Sequence, residues 1–494
     1  MTDNNNQIQV YNTLSGKKET LVPIRANELS IYSCGPTVYD WSHLGHARMS
    51  VVWDVAQRYF RYYGYKVTYI RNITDIDDKI INRAAELGIT PEKLARYFTY
   101  TFWDDMHRLN VQSPDREPRA TEFVNQMIGF IEELIKKGHA YQSGGDVYFD
   151  VMSFADYGLL SGRKVEDLIS GARDQVLSQE ELLERKKNAC DFALWKSISK
   201  KSPDEKVTSW QTPWGEGRPG WHLECSTMIK HVLGETIDIH TGGEDLVFPH
   251  HENEIAQSQA LHGKPLAKYW MHNSFVQVSA EKMSKSLGNF STIRDILKSY
   301  SPDTVRLFIL QTHYRHPIDF TTESLNASRQ AMSRLLRAVG EQAQSTQGKL
   351  DVLGAKGPRK KDASDLDKIK NETSLKFAKD FEEAMNNDLN TAQALSACFS
   401  LADKIFQESE QAIKDNLSLI LAFHLQVLGF TLEDSRLLVG PEIGKSVLDL
   451  IVELRQEARV KKDYATSDLI RQKLTSCGVT LMDSQGGKSN WELD

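Results

Sequence analysis

Two short runs could bring positive charge to a polyphosphate from two sides. His43-Leu44-Gly45-His46 sets two imidazoles three residues apart, and Lys282-Met283-Ser284-Lys285-Ser286 sets two ammonium groups far downstream. Nucleotidyl transfer builds negative charge on the equatorial oxygens of an α-phosphate and on departing pyrophosphate. Donors fixed at both places lower that barrier without reorganising. Taken singly, each run has an ordinary explanation. Histidines at i and i+3 share a helix face and can be a simple buried pair, and a basic serine-containing run is commonly a solvated loop.

A second set of residues has the chemistry of a metal centre. Cys225 sits in Gly220-Trp221-His222-Leu223-Glu224-Cys225, and His250 and Glu254 have the i, i+4 spacing that points both side chains from one helix face. Cys34 ends a strand-like segment. Thiolate, imidazole and carboxylate together suit a borderline-soft ion such as zinc. From the residues alone the set stays open, because His222, His240, His251 and Glu252 compete for the same role. An isolated buried cysteine is, besides, commonly a small hydrophobe. Ligands this scattered differ from the Cys-x-x-Cys knuckles of structural zinc, which favours a substrate site.

Such groups need a scaffold. Residues 29–34 read as a strand, 47–63 as an aromatic-rich amphipathic helix and 66–73 as a second strand. In such a β-α-β unit the crossover is right-handed and the ligand crevice lies beyond the carboxyl ends of the strands. The 34–46 segment starts there, with the histidine run placed at the end of the N-terminal strand. Thr90-Pro91-Glu92 caps and opens a helix toward Leu109. Helical 123–137, an alternating strand at 146–150 and a charged helix at 179–187 mark an insertion. The sheet resumes at 236–240, with Thr241-Gly242-Gly243 as a tight exit, then a helix near 249–261 and a strand at 270–278. Beyond Ser301-Pro302 the chain reads helical, apart from a flexible loop at 344–364, and closes with a basic helix from 445 and a short strand at 478–482. The fold class is therefore α/β. A Rossmann-like parallel-sheet domain in two halves (1–120 and 214–300) is split by an insertion (121–213), then followed by connecting helices and a helical bundle (301–440) and a small C-terminal domain (441–494).

Composition sets outer limits. A chain of 494 residues exceeds the size of about 250 to 300 residues at which a single core stops growing. The net charge of −7 rules out a globally basic nucleic-acid coat, so any RNA contact must come from local patches. Five cysteines in so long a chain do not make a disulfide framework. The polar start and the lack of a run of about 18 apolar residues place the protein in the cytoplasm, without membrane attachment.

In this order, the histidine and lysine runs resemble the two signatures of class I aminoacyl-tRNA synthetases. Further segments sharpen the resemblance: Cys34-Gly35-Pro36-Thr37-Val38-Tyr39-Asp40, Asn72-Ile73-Thr74-Asp75-Ile76-Asp77-Asp78-Lys79, Gly220 to Cys225, and Phe248-Pro249-His250-His251-Glu252-Asn253-Glu254. Together they look like cysteinyl-tRNA synthetases, with Leu44 where that family ordinarily has isoleucine. The resemblance implies ATP-dependent activation of L-cysteine to its adenylate and transfer to tRNA(Cys), with release of AMP and pyrophosphate. It implies one zinc ion per chain on Cys34, Cys225, His250 and Glu254, and Mg2+ accompanying ATP. It also implies substrate contacts at Gly35, Thr74, Trp221 and His240, ATP contacts at His43, His46 and Lys285, and a share in catalysis for His43, His46, Lys282 and Lys285. A monomer is expected.

Zinc would make chemical sense in a cysteine pocket. Apolar shape alone separates near-isosteres such as cysteine and serine by only about 1 to 3 kcal/mol, whereas coordination deprotonates a thiol and prefers it to a hydroxyl. The resemblance further implies that the C-terminal domain reaches the tRNA anticodon. Arg455, Arg459, Lys461, Lys462, Arg471 and Lys473, with Tyr464 and Trp491, are the candidates there. Glu453, Glu457, Asp463 and Asp468 are interspersed, so plain solvated helices remain an alternative. Two rival activities are a zinc hydrolase, which leaves both charged runs unexplained, and a ligase joining activated cysteine to an amino sugar, which leaves the long C-terminal half unexplained. A noncatalytic RNA-binding relative is disfavoured by the presence of both runs and all four ligands.

Overall fold

The computed structural model describes residues 7–164, 185–198, 208–278, 281–282, 291–345, 372–432, 441–476, 479–483 and 489–493. The chain forms two units, Met1–Leu432 and Glu433–Asp494.

At the centre of the first unit, strand β1 (Glu28–Ser33) leads through helix α1 (Leu44–Tyr63) to the parallel strand β2 (Lys66–Arg71). After the insertion, helix α2 (Trp221–Val232) precedes strand β3 (Ile237–Gly243), helix α3 (Glu252–His262) and strand β4 (Ala267–Asn273). The sheet order is β4-β3-β1-β2, all parallel. Both faces are covered, so β3 is buried from Ile237 to Gly242 and its apolar and polar positions do not sort into an inner and an outer face. For the same reason α1 buries most of its surface, including Arg48, Asp54 and Gln57, and one apolar core runs from β1 and α1 into the helices beyond Pro302.

Several sequence-based expectations shift here. Thr241, Gly242 and Gly243 do not exit the strand but finish it, pairing with Met271, His272 and Asn273. Gly242 is there because a Cβ would lie 2.8 Å from Cε1 of His251, a demand of close approach and not of turning. Residues 270–278 hold two strands, β4 and Val276–Val278, instead of one. The expected 249–261 helix begins as a π turn over Val247–His251 before α3.

The insertion carries a five-stranded antiparallel sheet, in the order Ala140–Ser143, Asp146–Phe149, Phe192–Ser197, Gly215–Pro219 and Trp210–Thr212. Its Gly215–Pro219 strand lies past residue 213. Of the charged helix expected over 179–187, residues 179–184 lie outside the described residues, as do 346–364 of the expected loop. Helices Thr322–Ser345, Glu372–Asn386, Thr391–Gln407 and Gln411–Val427 form the bundle.

The second unit holds helices Pro441–Val460 and Tyr464–Ser476 and the antiparallel pair Val479–Asp483 and Ser489–Leu493. What the sequence presents as one basic helix is broken at Lys462, which has a φ of 58°. Arg455 is buried and is therefore removed from the surface set, whereas Lys461, Lys462, Arg471, Lys473 and Tyr464 are exposed. Among the described residues no helix is long and apolar enough to cross a membrane.

Candidate active site

The chain leaves β1 and β3 in opposite directions, through α1 to β2 on one side and through α3 to β4 on the other. At that reversal a crevice opens beyond the carboxyl ends of the two strands. Cys34 follows β1 and is tied to β3 by its N–H donating to the Thr241 carbonyl at 3.1 Å. Cys225 comes from α2, His250 from the π turn and Glu254 from the first turn of α3.

One ligand atom from each of these four residues lies within 4.8 Å of the others, and all four residues are buried. Cys34 Sγ is 3.7 Å from Cys225 Sγ and 3.6 Å from Glu254 Oε1, and His250 Nε2 is 3.0 Å from the same carboxylate oxygen. A second quartet meets the same limit: Cys34, His240, His251 and Glu254. His240 Nε2 is 2.8 Å from Glu254 Oε2, and His251 Nε2 is 3.3 Å from Cys34 Sγ while its Nδ1 is 2.8 Å from His272 Nε2. Cys34 and Glu254 are thus common to two sets of donors.

The titratable groups of the cluster shift one another strongly. Burial pushes the Cys34 thiol well up. The hydrogen bond with Cys34 outweighs burial at Cys225 and brings that thiol down to about 6, so one sulfur keeps the proton that the other sheds. Burial disfavours charge at both Glu254 and His250, but His240 and His250 override it at the carboxyl, and Glu254 with Cys225 overrides it at the His250 ring. The carboxyl lies well below its usual range beside His240 and His250, and the His250 imidazolium persists to about 10. A thiolate, a carboxylate and imidazoles packed without water-exposed surface fit a borderline-soft divalent ion.

The residues expected around the amino acid adjoin this cluster. Trp221 stacks on His250 with ring centroids 4.1 Å apart. Asn72 Oδ1 accepts from the Gly35 N–H at 2.8 Å and lies 3.8 Å from Cys225 Sγ, while its Nδ2 donates to Thr74 Oγ1 at 3.3 Å. Thr74 in turn donates to Glu224 Oε2 at 3.2 Å. A Cβ on Gly35 would fall 1.7 Å from the Asn72 carbonyl oxygen, so only glycine lets the two segments meet. Asn72, Glu224 and His272 are neighbours of the site that sequence reasoning missed. The first two lie inside the motifs that carry the resemblance.

On the phosphate side the histidine pair opens α1 instead of ending a strand. His43 is the N-cap, its Nδ1 accepting from the Gly45 N–H at 3.1 Å, and His46 Nδ1 accepts from the His43 N–H at 3.2 Å. The reason is that β1 ends at Ser33 and residues 34–43 intervene before the helix begins at Leu44. Both imidazoles therefore stand at the positive end of a 20-residue helix, a natural place for phosphate. A Cβ at Gly45 would meet the His43 ring at 2.8 Å. The Lys282 backbone pairs with Gln277 in a short antiparallel ladder; Lys285 lies outside the described residues.

Residues 20–330 match the family model of the class I (C) tRNA synthetase catalytic domain, and residues 380–433 match that of the DALR domain. Among curated relatives, the cysteine–tRNA ligase of Rippkaea orientalis is 44% identical over 504 residues, covering 98% of this chain and 99% of the relative. That of Heliobacterium modesticaldum is 45% identical over 500 residues with the same coverage. The chain belongs to the cysteine–tRNA ligase family. Solved structures agree on the class I synthetase fold. The Agrobacterium radiobacter LeuRS–tRNA–LeuAMS ternary complex aligns with a TM-score of 0.60 at 14% identity, over 85% of this chain and 86% of that one. Mycobacterium tuberculosis methionyl-tRNA synthetase bound to methionyl-adenylate aligns at 0.53 and 16% identity, over 86% and 94%.

Proposed function

We propose that this member of the family joins L-cysteine to tRNA(Cys) with consumption of ATP. The observation that carries the reading is the convergence of Cys34, Cys225, His250 and Glu254 beside Trp221 and Thr74, at the crevice that α1 faces with two imidazoles. A carboxylate oxygen of cysteine attacks the α-phosphate of ATP, the α–β bond breaks and pyrophosphate leaves. A terminal ribose hydroxyl of the tRNA then attacks the carbonyl carbon, and AMP leaves.

His43 and His46, with the first N–H groups of α1, meet charge on the α-phosphate, and Lys282 and Lys285 meet it on pyrophosphate. Gly35, Thr74, Trp221 and His240 hold the amino acid so that its carboxylate faces ATP, which converts a bimolecular encounter into a positioned one. Cys34, Cys225, His250 and Glu254 would hold the zinc, which would supply a soft Lewis acid that favours a thiol substrate over a serine hydroxyl. Mg2+ accompanies ATP. The exposed basic residues of Glu433–Asp494 contact the tRNA. The protein works as a monomer in the cytoplasm, where its free thiols stay reduced.

Cysteine-dependent exchange of pyrophosphate into ATP tests the reading. Exchange that serine and alanine do not support is the expected result. Absence of exchange in a folded, zinc-loaded protein would overturn it.

A further inference from the structure

Two residues after His46, the chain buries a cation that the chemistry above does not use. Arg48 has no exposed surface. Its Nη1 donates to the Phe275 carbonyl at 2.6 Å, and its Nη2 donates to the Tyr314 carbonyl at 3.1 Å and to the carbonyl of His316. Among the described residues no carboxylate forms an ion pair with it, and its Nε finds no partner. Arg306, equally buried, shows the usual solution: its Nη2 meets Asp54 Oδ2 at 2.6 Å. Burying a guanidinium against carbonyls alone is costly. Burial, offset only in part by the charge of Glu244, brings Arg48 down to about 10, which still leaves it charged at neutral pH. A leucine or methionine would fill a helix-core position without that cost, so the fork of donors is what the position retains.

The place of the three carbonyls gives the fork a purpose. Phe275 directly precedes Val276–Val278, the strand that pairs with Glu281–Lys282 on one side and with Ile318–Asp319 on the other. Tyr314 and His316 lie in the turn that leads to Ile318. Arg48 therefore clasps the crossing from which the lysine run departs. Beyond that run the chain returns to the same helix start: the Ile293 N–H donates to the Ser42 carbonyl at 3.0 Å, and Thr292 bridges to His43. The described residues on both sides of the lysine run are thus fastened to the stretch Ser42–Arg48 that carries both histidines.

We infer that Arg48 is a positioning residue for nucleotidyl transfer, fixing the start of α1, with His43 and His46, against the strand that leads into the lysine run. With no exposed surface it does not reach a substrate; it sets the register between the histidine pair and Val276–Val278, the strand that leads into the lysine run. The inference rests on the proposed activity. A wild-type chain without cysteine-dependent exchange would defeat that activity, whereas a wild-type chain with exchange and unaffected Arg48 variants would defeat only the inference.

The test uses the full chain with Arg48→Met and Arg48→Lys. The exchange kcat is expected to fall about 100-fold for Arg48→Met and less for Arg48→Lys, which restores part of the donor set, as for a small misplacement of reacting groups. The KM for cysteine and the zinc content should stay within about twofold of wild type, since the amino-acid pocket is held by other residues. In a Lys285→Ala background, Arg48→Met should cost clearly less than it does in wild type, because the register it sets no longer matters. An unchanged kcat in the folded variants, full additivity with Lys285→Ala, or parallel loss of zinc and cysteine binding would each overturn the inference. If Arg48→Met does not fold, Arg48→Lys carries the same comparison.

Discussion

The pocket around Glu254 and the helices of the Glu433–Asp494 unit both crowd titratable side chains, in opposite settings. In the pocket, two cysteines, three histidines and a carboxylate are gathered from four chain segments and sealed from water. On the C-terminal helices, lysines and arginines alternate with acids on an exposed surface, and Lys461 lies 3.5 Å from Glu457. Exposed ion pairs contribute about 0 to 1 kcal/mol and leave many arrangements equivalent. Buried polar groups left without a partner are expensive, so the groups of a sealed cluster are held to the few arrangements in which they pair. Location, more than composition, separates a site from a solvated face.

The largest effect should come from breaking the pocket. With Cys225→Ser, zinc content should collapse, and the preference for cysteine over serine in activation should drop by on the order of 1,000-fold, toward the small margin that shape alone supplies. Metal analysis together with exchange kinetics reads both, and full selectivity in a zinc-free protein would defeat the selector role. Next in size is Lys285→Ala, which should cost on the order of 3 kcal/mol in adenylate formation, as for loss of another preorganised donor. Zinc and cysteine binding should persist; their equal loss would mean that the lysine only supports the fold.

A third experiment asks whether burial alone makes a histidine functional. His424 stacks on Phe381 with centroids 4.3 Å apart, and burial with no charged partner brings it down to about 3, the reverse of His250. Because its folded value lies below an unfolded value of about 6.5, the neutral ring stabilises the fold above that pH. The contribution is lost as pH falls from about 6.5 toward 3, and the loss reaches about 1.4 kcal/mol by pH 5.5. Chemical denaturation at about pH 7.5 and about pH 5.5 should show this loss in wild type and not in His424→Phe, with exchange activity at the higher pH retained. The smallest effect is expected on the exposed side. Lys461→Ala with Lys462→Ala should leave exchange untouched and weaken tRNA binding modestly, lowering the slope of log affinity against log salt by about 1 for each phosphate no longer neutralised. An unaltered slope would return these helices to the solvated class.

The same contrast governs what can be read from the sequence. The β1-α1-β2 unit and the Thr90 cap are legible because apolar periodicity and capping are local. The proposed metal ligands are legible only through resemblance, because Cys34 and Glu254 are brought together by tertiary structure. The residues alone do not rank His240, His250 and His251, and the folded chain indeed offers two overlapping quartets. Gly242 misleads as a turn signal because the demand on it comes from His251, across the pocket. Arg48 escapes notice, since an arginine just past a helix start looks solvated until the helix is seen to be buried on nearly all sides.

The span between Cys34 and Glu254, 220 residues, sets an order of events on the ribosome. At about 5 to 20 residues per second, on the order of ten to forty seconds pass between the making of the first ligand and the last. During that interval the N-terminal thiol belongs to a nascent chain with no cage to enter, and the intervening antiparallel sheet lacks the later part of the apolar cluster it shares with Ile237 and Trp270. On the proposed zinc assignment, ion uptake would therefore be a late step in biogenesis, and one that knits the two halves of a divided domain into a single object.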